Sequence, residues 1–273
     1  DITPVVTSNQ SFTVNENVSS GSLLDTLEAT DADAWASGTS TTFQDWVISA
    51  GNSASHFALN SSTGILTTAA ALDYETTTSY SLSVKVSDGN NLSSAATVTI
   101  TVNNVDESPT ASNSSKSTDE DNSLNITLEG TDPEGATLTY KVTVLPTKGT
   151  LTQSDGTAIS SVNTTVTSNA NQIIYVPTAN FAGTDSIKFT VTDPGTNVSN
   201  TAKVSLTVNA VNDKPTASSQ TVVVNEDEDI TVTLEGTDTE DSDLTYIITS
   251  LPANGTLYPV SYTHLTLPTN REV

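Results

Sequence analysis

Residues 102–151 recur at 208–257, offset by 106 positions and without a gap. Pro109-Thr110-Ala111-Ser112 returns as Pro215-Thr216-Ala217-Ser218. Leu128-Glu129-Gly130-Thr131-Asp132 returns as Leu234-Glu235-Gly236-Thr237-Asp238, and Gly149-Thr150-Leu151 as Gly255-Thr256-Leu257. A match of that length and register does not arise by chance, so the chain is a tandem array. Each repeat must then be one small domain, joined to the next without a long linker. The first repeat has the same length, since Pro4 stands 105 positions before Pro109. The expected division is residues 1–105, 106–211, and a shortened third repeat at 212–258.

The repeat is built of strands. Tyr80-Ser81-Leu82-Ser83-Val84-Lys85-Val86 and Val204-Ser205-Leu206-Thr207-Val208 alternate apolar with polar residues. Period-two alternation marks strands with one face against a core. Thr suits the outward face because its β-branch favours extended backbone. Asp88-Gly89-Asn90-Asn91 and Asp193-Pro194-Gly195 punctuate the runs as turns. One helix candidate stands out, around Thr68–Leu72. The fold class expected is all-β, with tandem β-sandwich domains in an extended array.

Charge narrows the function. The chain carries 32 Asp and Glu against 8 Lys and Arg, a net charge of −24. That balance argues against nucleic acid, whose phosphates must be met by cations. With no Cys, disulfides and thiolate chemistry are excluded. No apolar run reaches the roughly 18 residues of a transmembrane helix. With no Met, the chain is expected to be a piece of a longer secreted protein, beginning just after an upstream repeat. Its last residues, from about 259 to 273, resemble a translated sequencing adapter and are set aside as a non-native tail.

The acids cluster at strand ends and turns. Val14-x-Glu16-Asn17, Ala29-Thr30-Asp31-Ala32-Asp33, Leu72-Asp73-Tyr74-Glu75, the strand ending at Asp88, and Asn104-Val105-Asp106-Glu107-x-Pro109 follow one another in order. Together they resemble a cadherin repeat over residues 5–109. The second repeat lacks the Leu-Asp-x-Glu element. Its Tyr175-Val176-Pro177, Phe181-x-Gly183-Thr184-Asp185 and Val191-x-Asp193 resemble the cadherin-like or Ig-like repeats of large bacterial surface proteins.

The resemblance implies Ca²⁺ as cofactor, bound where repeats meet. Glu16, Asp73 and Glu75 would form the base of the first junction, and Asn104, Asp106 and Glu107 its linker. Asp132, Glu134 and Asp193 would come from the second repeat. Asp31, Asp33 and Asp88 would face an upstream repeat. Glu120, Asn212, Asp213, Asp238 and Glu240 are the candidates for the second junction, which holds one ion weakly or none. Elementary chemistry agrees: two carboxylates about 4 Å apart repel by roughly 4 kcal/mol at an effective dielectric near 20. A cluster of them must splay, take up protons or bind a cation, and Ca²⁺ takes six to eight oxygens. The competing reading makes them solvated turn residues.

Catalysis finds little footing. His56 is one of two histidines, the other lying in the tail, and no Ser has the base a nucleophile needs. Trp35 and Trp46 are expected to pack locally, not to stack on sugar. The expected function is non-enzymatic: a Ca²⁺-stiffened structural or adhesive stalk segment of a large bacterial surface protein. Its partners would be neighbouring repeats and a cell-surface protein or glycan. The alternative is a carbohydrate-binding or accessory module of a secreted enzyme.

Overall fold

The structure, a computed structural model, describes residues 2–32 and 42–259, with the backbone of 265–266. Every regular element among the described residues is a β-strand. The chain forms two compact units. The first comprises Asp1–Thr110 with the loops Gly130–Leu138 and Val191–Asn200. The second comprises Ala111–Glu129, Thr139–Thr190 and the chain from Thr201 onward.

In the first unit the strands are β1 (Val5–Val6), β2 (Gln10–Asn15), β3 (Leu23–Thr26), β4 (Ala29–Thr30), β5 (Gln44–Ala50), β6 (Phe57–Leu59), β7 (Ile65–Thr68), β8 (Ser79–Ser87) and β9 (Ala96–Asn103). One sheet has the order β2-β9-β8-β5, a second β3-β7-β6, and β1 pairs with β4. Leu82, Val84 and Val86 of β8 and Val98, Ile100 and Val102 of β9 point inward and are buried, with Thr and Ser alternating outward. Leu66 and Phe57 of the facing sheet close the core, together with Leu72 and with Trp46 of β5. Truncating such a buried Leu or Ile to Ala costs about 2–5 kcal/mol. Gly64 is required by this packing: a Cβ there would lie 2.9 Å from the Trp46 ring.

One pairing sets up the site. β2 runs parallel to β9, with Gln10 opposite Val98 and Asn15 opposite Asn103. The residues that follow each strand therefore emerge side by side. Glu16 leaves β2 next to the linker that leaves β9, and its N–H donates to the Asn103 carbonyl at 3.1 Å.

The second sandwich uses β10 (Thr110–Ser112), β11 (Ser114–Asp119), β12 (Leu124–Thr127), β13 (Glu129–Thr131), β14 (Thr139–Val144), β15 (Gly149–Gln153), β16 (Ala158–Ile159), β17 (Thr164–Thr165), β18 (Gln172–Pro177), β19 (Gly183–Thr192) and β20 (Ala202–Asn209). Its sheets have the orders β11-β20-β19-β14-β17 and β12-β18-β15-β16. Ile126, Val142, Leu151, Ile173, Tyr175, Ile187, Phe189, Val204 and Leu206 are buried. β11 again runs parallel to β20, ending with Asp119 opposite Asn209.

The expected helix at Thr68–Leu72 does not form. Thr68 ends β7, and the N–H groups of Ala69 and Ala70 both turn to the His56 carbonyl, at 2.7 and 3.4 Å. Five residues are too few to repay helix nucleation, and burial of Leu72 fixes an irregular path instead.

Beyond Val211 the regular elements shrink to two residues each: β21 (Thr216–Ala217) with β22 (Gly236–Thr237), and β23 (Tyr246–Ile247) with β24 (Leu265–Thr266). The short strand Tyr246–Ile247 pairs in parallel with Leu265–Thr266. The apolar side chains remain bare: Val223 is 85% and Ile247 68% exposed. Few buried contacts mean low local stability. Limited proteolysis read by mass spectrometry should cut within 212–259 before any loop of either sandwich. Survival of that stretch while sandwich loops are cut would reverse the assignment.

Candidate metal centre

Glu16 anchors the site. Its carboxylate is buried, and Oε1 accepts the Val105 N–H at 2.8 Å while Oε2 accepts the Tyr74 N–H at 2.7 Å. This side chain thus pins the linker to the turn carrying Asp73 and Glu75. Asn17 follows with φ 58, a left-handed conformation that Asn tolerates. The turn aims its side chain at the linker, where Asn17 Nδ2 donates to Glu107 Oε1. Asn104 Nδ2 donates to Glu75 Oε1 at 3.0 Å. One carboxylate oxygen from each of Glu16, Glu75 and Glu107 falls within 4.8 Å of the others.

A second set of acids adjoins this one through Glu134, whose Oε1 accepts the Glu107 N–H at 3.0 Å. Asp106 Oδ2 accepts Asn197 Nδ2 at 2.6 Å. Asp132 Oδ1 accepts the Ala136 N–H at 3.0 Å, and buried Asp193 Oδ1 accepts the Asn197 N–H at 2.9 Å. Asp73 plays a different part: its two oxygens accept the N–H and Oγ1–H of Thr76, each at 2.9 Å. It stands outside the three-glutamate group but adds its charge beside Glu75. All these residues belong to the first unit.

Four carboxylate oxygens here are withdrawn from solvent with no hydrogen-bond partner in the protein: Glu107 Oε2, Asp132 Oδ2, Glu134 Oε2 and Asp193 Oδ2. An unsatisfied buried acceptor costs about 1–3 kcal/mol, and more when charged. The proton affinities show the strain. Burial pushes Glu107 up to about 7, with the Glu134 carboxylate and Glu16 charge adding to it. Burial also raises Glu75, helped by Glu16, Glu134 and Asp73, and raises Asp106, helped by Asp193, Glu134 and Asp132. Glu134 is held below its ordinary value, chiefly by the Glu107 N–H it accepts. An all-oxygen, anionic and desolvated set of this kind fits Ca²⁺.

The opposite end of the β8–β9 sheet carries Asp88. Its Oδ1 accepts the N–H groups of Asn90 and Asn91, both at 2.7 Å, and these lower its pKa; Oδ2 is buried and unpaired. Asp31 is buried, and Asp33 and Trp35 lie outside the described residues. In the second unit the geometry recurs in reduced form. Buried Glu120 takes its N–H to the Asn209 carbonyl at 2.9 Å and accepts the Val211 N–H on Oε1 at 2.7 Å, as Glu16 does. The Asp213 N–H donates to Glu240 Oε2 at 3.0 Å, as Glu107 does to Glu134. Asp238 Oδ1 accepts from the Glu240 and Asp241 N–H groups, and Asn212 Nδ2 donates to the Asp213 carbonyl. Among the described residues no three carboxylates converge there as they do around Glu16. Nothing in this repeat replaces Asp73 and Glu75.

Asn17 and Asn197 were not legible as site residues. Asn17 sits inside the Glu16 motif but its role depends on a left-handed turn, and Asn197 on a loop that only the fold brings to Asp106. Trp46 is a core residue and His56 packs on the Tyr80 ring, with centroids 5.2 Å apart.

Residues 10–103 match the cadherin domain family model, and residues 106–207 match the bacterial Ig domain model. Human Protocadherin Fat 4 is 39% identical over 99 residues, covering 36% of this chain and 2% of that protein. Integrin beta-like protein B of Dictyostelium discoideum is 30% identical over 140 residues, covering 50% of this chain and 7% of that protein. The chain thus spans a small fraction of the relatives it matches. The solved structure of human Protocadherin-24 EC1-2 Form II superposes with TM-score 0.54 at 19% identity, covering 77% of this chain and 99% of that one. The fold is therefore that of tandem cadherin-like and Ig-like sandwiches. The matched families are adhesive and structural modules.

Proposed function

We propose that this chain is a calcium-stiffened structural or adhesive stalk segment of a large cell-surface repeat protein, with repeats at 1–105, 106–211 and from 212. The observation that carries the reading is the set of four solvent-excluded, unpartnered carboxylate oxygens beside the three-glutamate group. Glu16, Glu75, Glu107 and Asp106 would hold calcium from the first repeat and its linker, and Asp132, Glu134 and Asp193 from the second. The ion would supply positive charge that satisfies these oxygens at once and ties the linker to both sets of loops. The bacterial Ig domain match supports a bacterial parent. The second junction, lacking a counterpart of Asp73 and Glu75, would bind more weakly. Exposed Asp155 caps its own turn by accepting the Thr157 N–H at 2.9 Å, and neither it nor exposed Asp45 belongs to the site. Calorimetric titration of calcium into the full chain tests the reading: saturable binding lost in Glu75→Gln and Glu107→Gln supports it, and no heat up to several millimolar ends it.

Proton release gives an independent check. Glu107 holds its proton up to about pH 7, whereas an unfolded Glu loses it near 4.3. Its protonated form therefore favours the folded state, and that contribution fades as pH rises through 7. Calcium must displace this proton. Binding near pH 6 should release protons to the medium, and the release should vanish above pH 8. In Glu107→Gln the release near pH 6 should be largely lost, leaving only what Glu75 and Asp106 contribute at lower pH.

A further inference from the structure

Two consecutive linker acids are each met by a side-chain amide. Asn17 comes from the end of β2 to Glu107 Oε1, and Asn197 from the loop after β19 to Asp106 Oδ2. We propose that Asn197, with Asn17 as its counterpart, latches the acidic linker in place when no cation is bound, so that an ion meets a docked linker; this rests on the calcium reading for the ion's place but not for the latch.

The loop is built for the contact. Asp193 and Asn197 close it from both sides, with the Asp193 N–H donating to the Asn197 carbonyl at 3.2 Å and the Asn197 N–H to Asp193 Oδ1 at 2.9 Å. Thr196 is held at φ 78, a left-handed conformation rare for a β-branched residue. This tight turn fixes where the Asn197 amide points. Gly195 leaves the space: a Cβ there would lie 1.9 Å from Asp106 Oδ2. Gly195 is not among the glycines with positive φ, so room for Asp106 is the reason only glycine fits.

The chemistry suits a temporary hold. An amide N–H donates to a carboxylate without adding charge. It satisfies one oxygen of each acid and leaves Glu107 Oε2 bare for a cation. A charge-assisted hydrogen bond of this kind is strong enough to shift a local equilibrium, yet a divalent ion outcompetes it.

The latch is read by hydrogen exchange of the Glu107 and Val105 N–H groups in the full chain, which the linker donates to Glu134 and Glu16. Core N–H groups of β9 serve as the reference for global unfolding. In chelator, Asn197→Ala should speed exchange of the Glu107 N–H by about tenfold or more, the worth of one charge-assisted hydrogen bond. Gly195→Ala, which displaces Asp106 but keeps the amide, should do the same. Asn197→Asp, placing a carboxylate against Asp106, should speed it further. Unchanged linker exchange in chelator for both Asn197→Ala and Gly195→Ala would overturn the latch. The outcome does not depend on calcium: failure of calcium to bind sinks the stalk reading while the chelator comparison still decides the latch. With calcium bound, the linker in Asn197→Asp should exchange as slowly as in the unaltered chain.

Discussion

Adding 1 mM calcium to the full chain should raise the melting temperature of the first unit, by about 3–6 °C per ion bound. The figure follows from the linkage of binding to folding. Extracellular modules bind Ca²⁺ with dissociation constants of about 10⁻⁴–10⁻³ M. At a tenfold excess over the tighter value, one site adds about 1.4 kcal/mol. For a domain of this size each kcal/mol moves the midpoint by about 2–4 °C. Glu107→Gln separates a ligand from a mere turn residue. Its carboxylate meets the charges of Glu16 and Glu134, so neutralising it should leave stability in chelator unchanged or higher. The calcium increment should fall to less than half. A turn residue would behave the opposite way, losing stability in chelator and keeping the increment. Differential scanning calorimetry of both forms, with and without chelator, decides between them. Glu16 answers a different question, because it also accepts two backbone N–H groups. Glu16→Ala should lower the melting temperature under both conditions.

Much of this was legible because strand alternation and repeats are local features. The buried Val98-x-Ile100-x-Val102 row is the same period-two pattern written in the sequence. The acids that follow β2 and β9 stand in motifs that are local too, and the parallel pairing brings those two chain ends side by side. What escaped has a common physical origin. Ala69 and Ala70 have good helix propensity, but two N–H groups found the His56 carbonyl and Leu72 found the core. Tertiary partners outweighed local preference. Asp73 sits in the motif beside Glu75, yet its carboxylate caps its own turn at Thr76. Asn197 and Asp106 are 91 positions apart in sequence. Side-chain bonds between distant loops leave no periodic trace, so only the fold could reveal them.

The same holds for Asp185, and its loss should be the most damaging single change outside the hydrophobic cores. Asp185 Oδ1 accepts the N–H of Thr147 at 3.0 Å, its Oγ1–H at 3.3 Å, and the Ser186 N–H at 2.8 Å. Oδ2 accepts the Lys148 N–H at 2.7 Å and lies 3.2 Å from the hydroxyl of fully buried Tyr175. One carboxylate on β19 thus ties its sheet to the loop entering β15 and to β18 of the facing sheet. Gly149 belongs to the arrangement, since a Cβ there would lie 2.5 Å from the Tyr175 ring. Asp185→Ala strands three backbone N–H groups and takes the acidic partner away from the Tyr175 hydroxyl. The expected cost is about 3 kcal/mol, a melting point lower by on the order of 10 °C for the second sandwich. Burial alone would raise the Asp185 pKa, but the donors from Thr147, Lys148, Ser186 and Tyr175 hold it below its ordinary value. Its stabilisation is therefore complete above the unfolded value near 3.9 and is lost as pH falls through the lower folded value. Asp185→Asn removes the titration while keeping most of the shape. Its acid-unfolding limb should be flatter than that of the unaltered chain below about pH 4. Equal slopes in the two proteins would assign the stabilisation to packing around Tyr175, and not to the charge on Asp185.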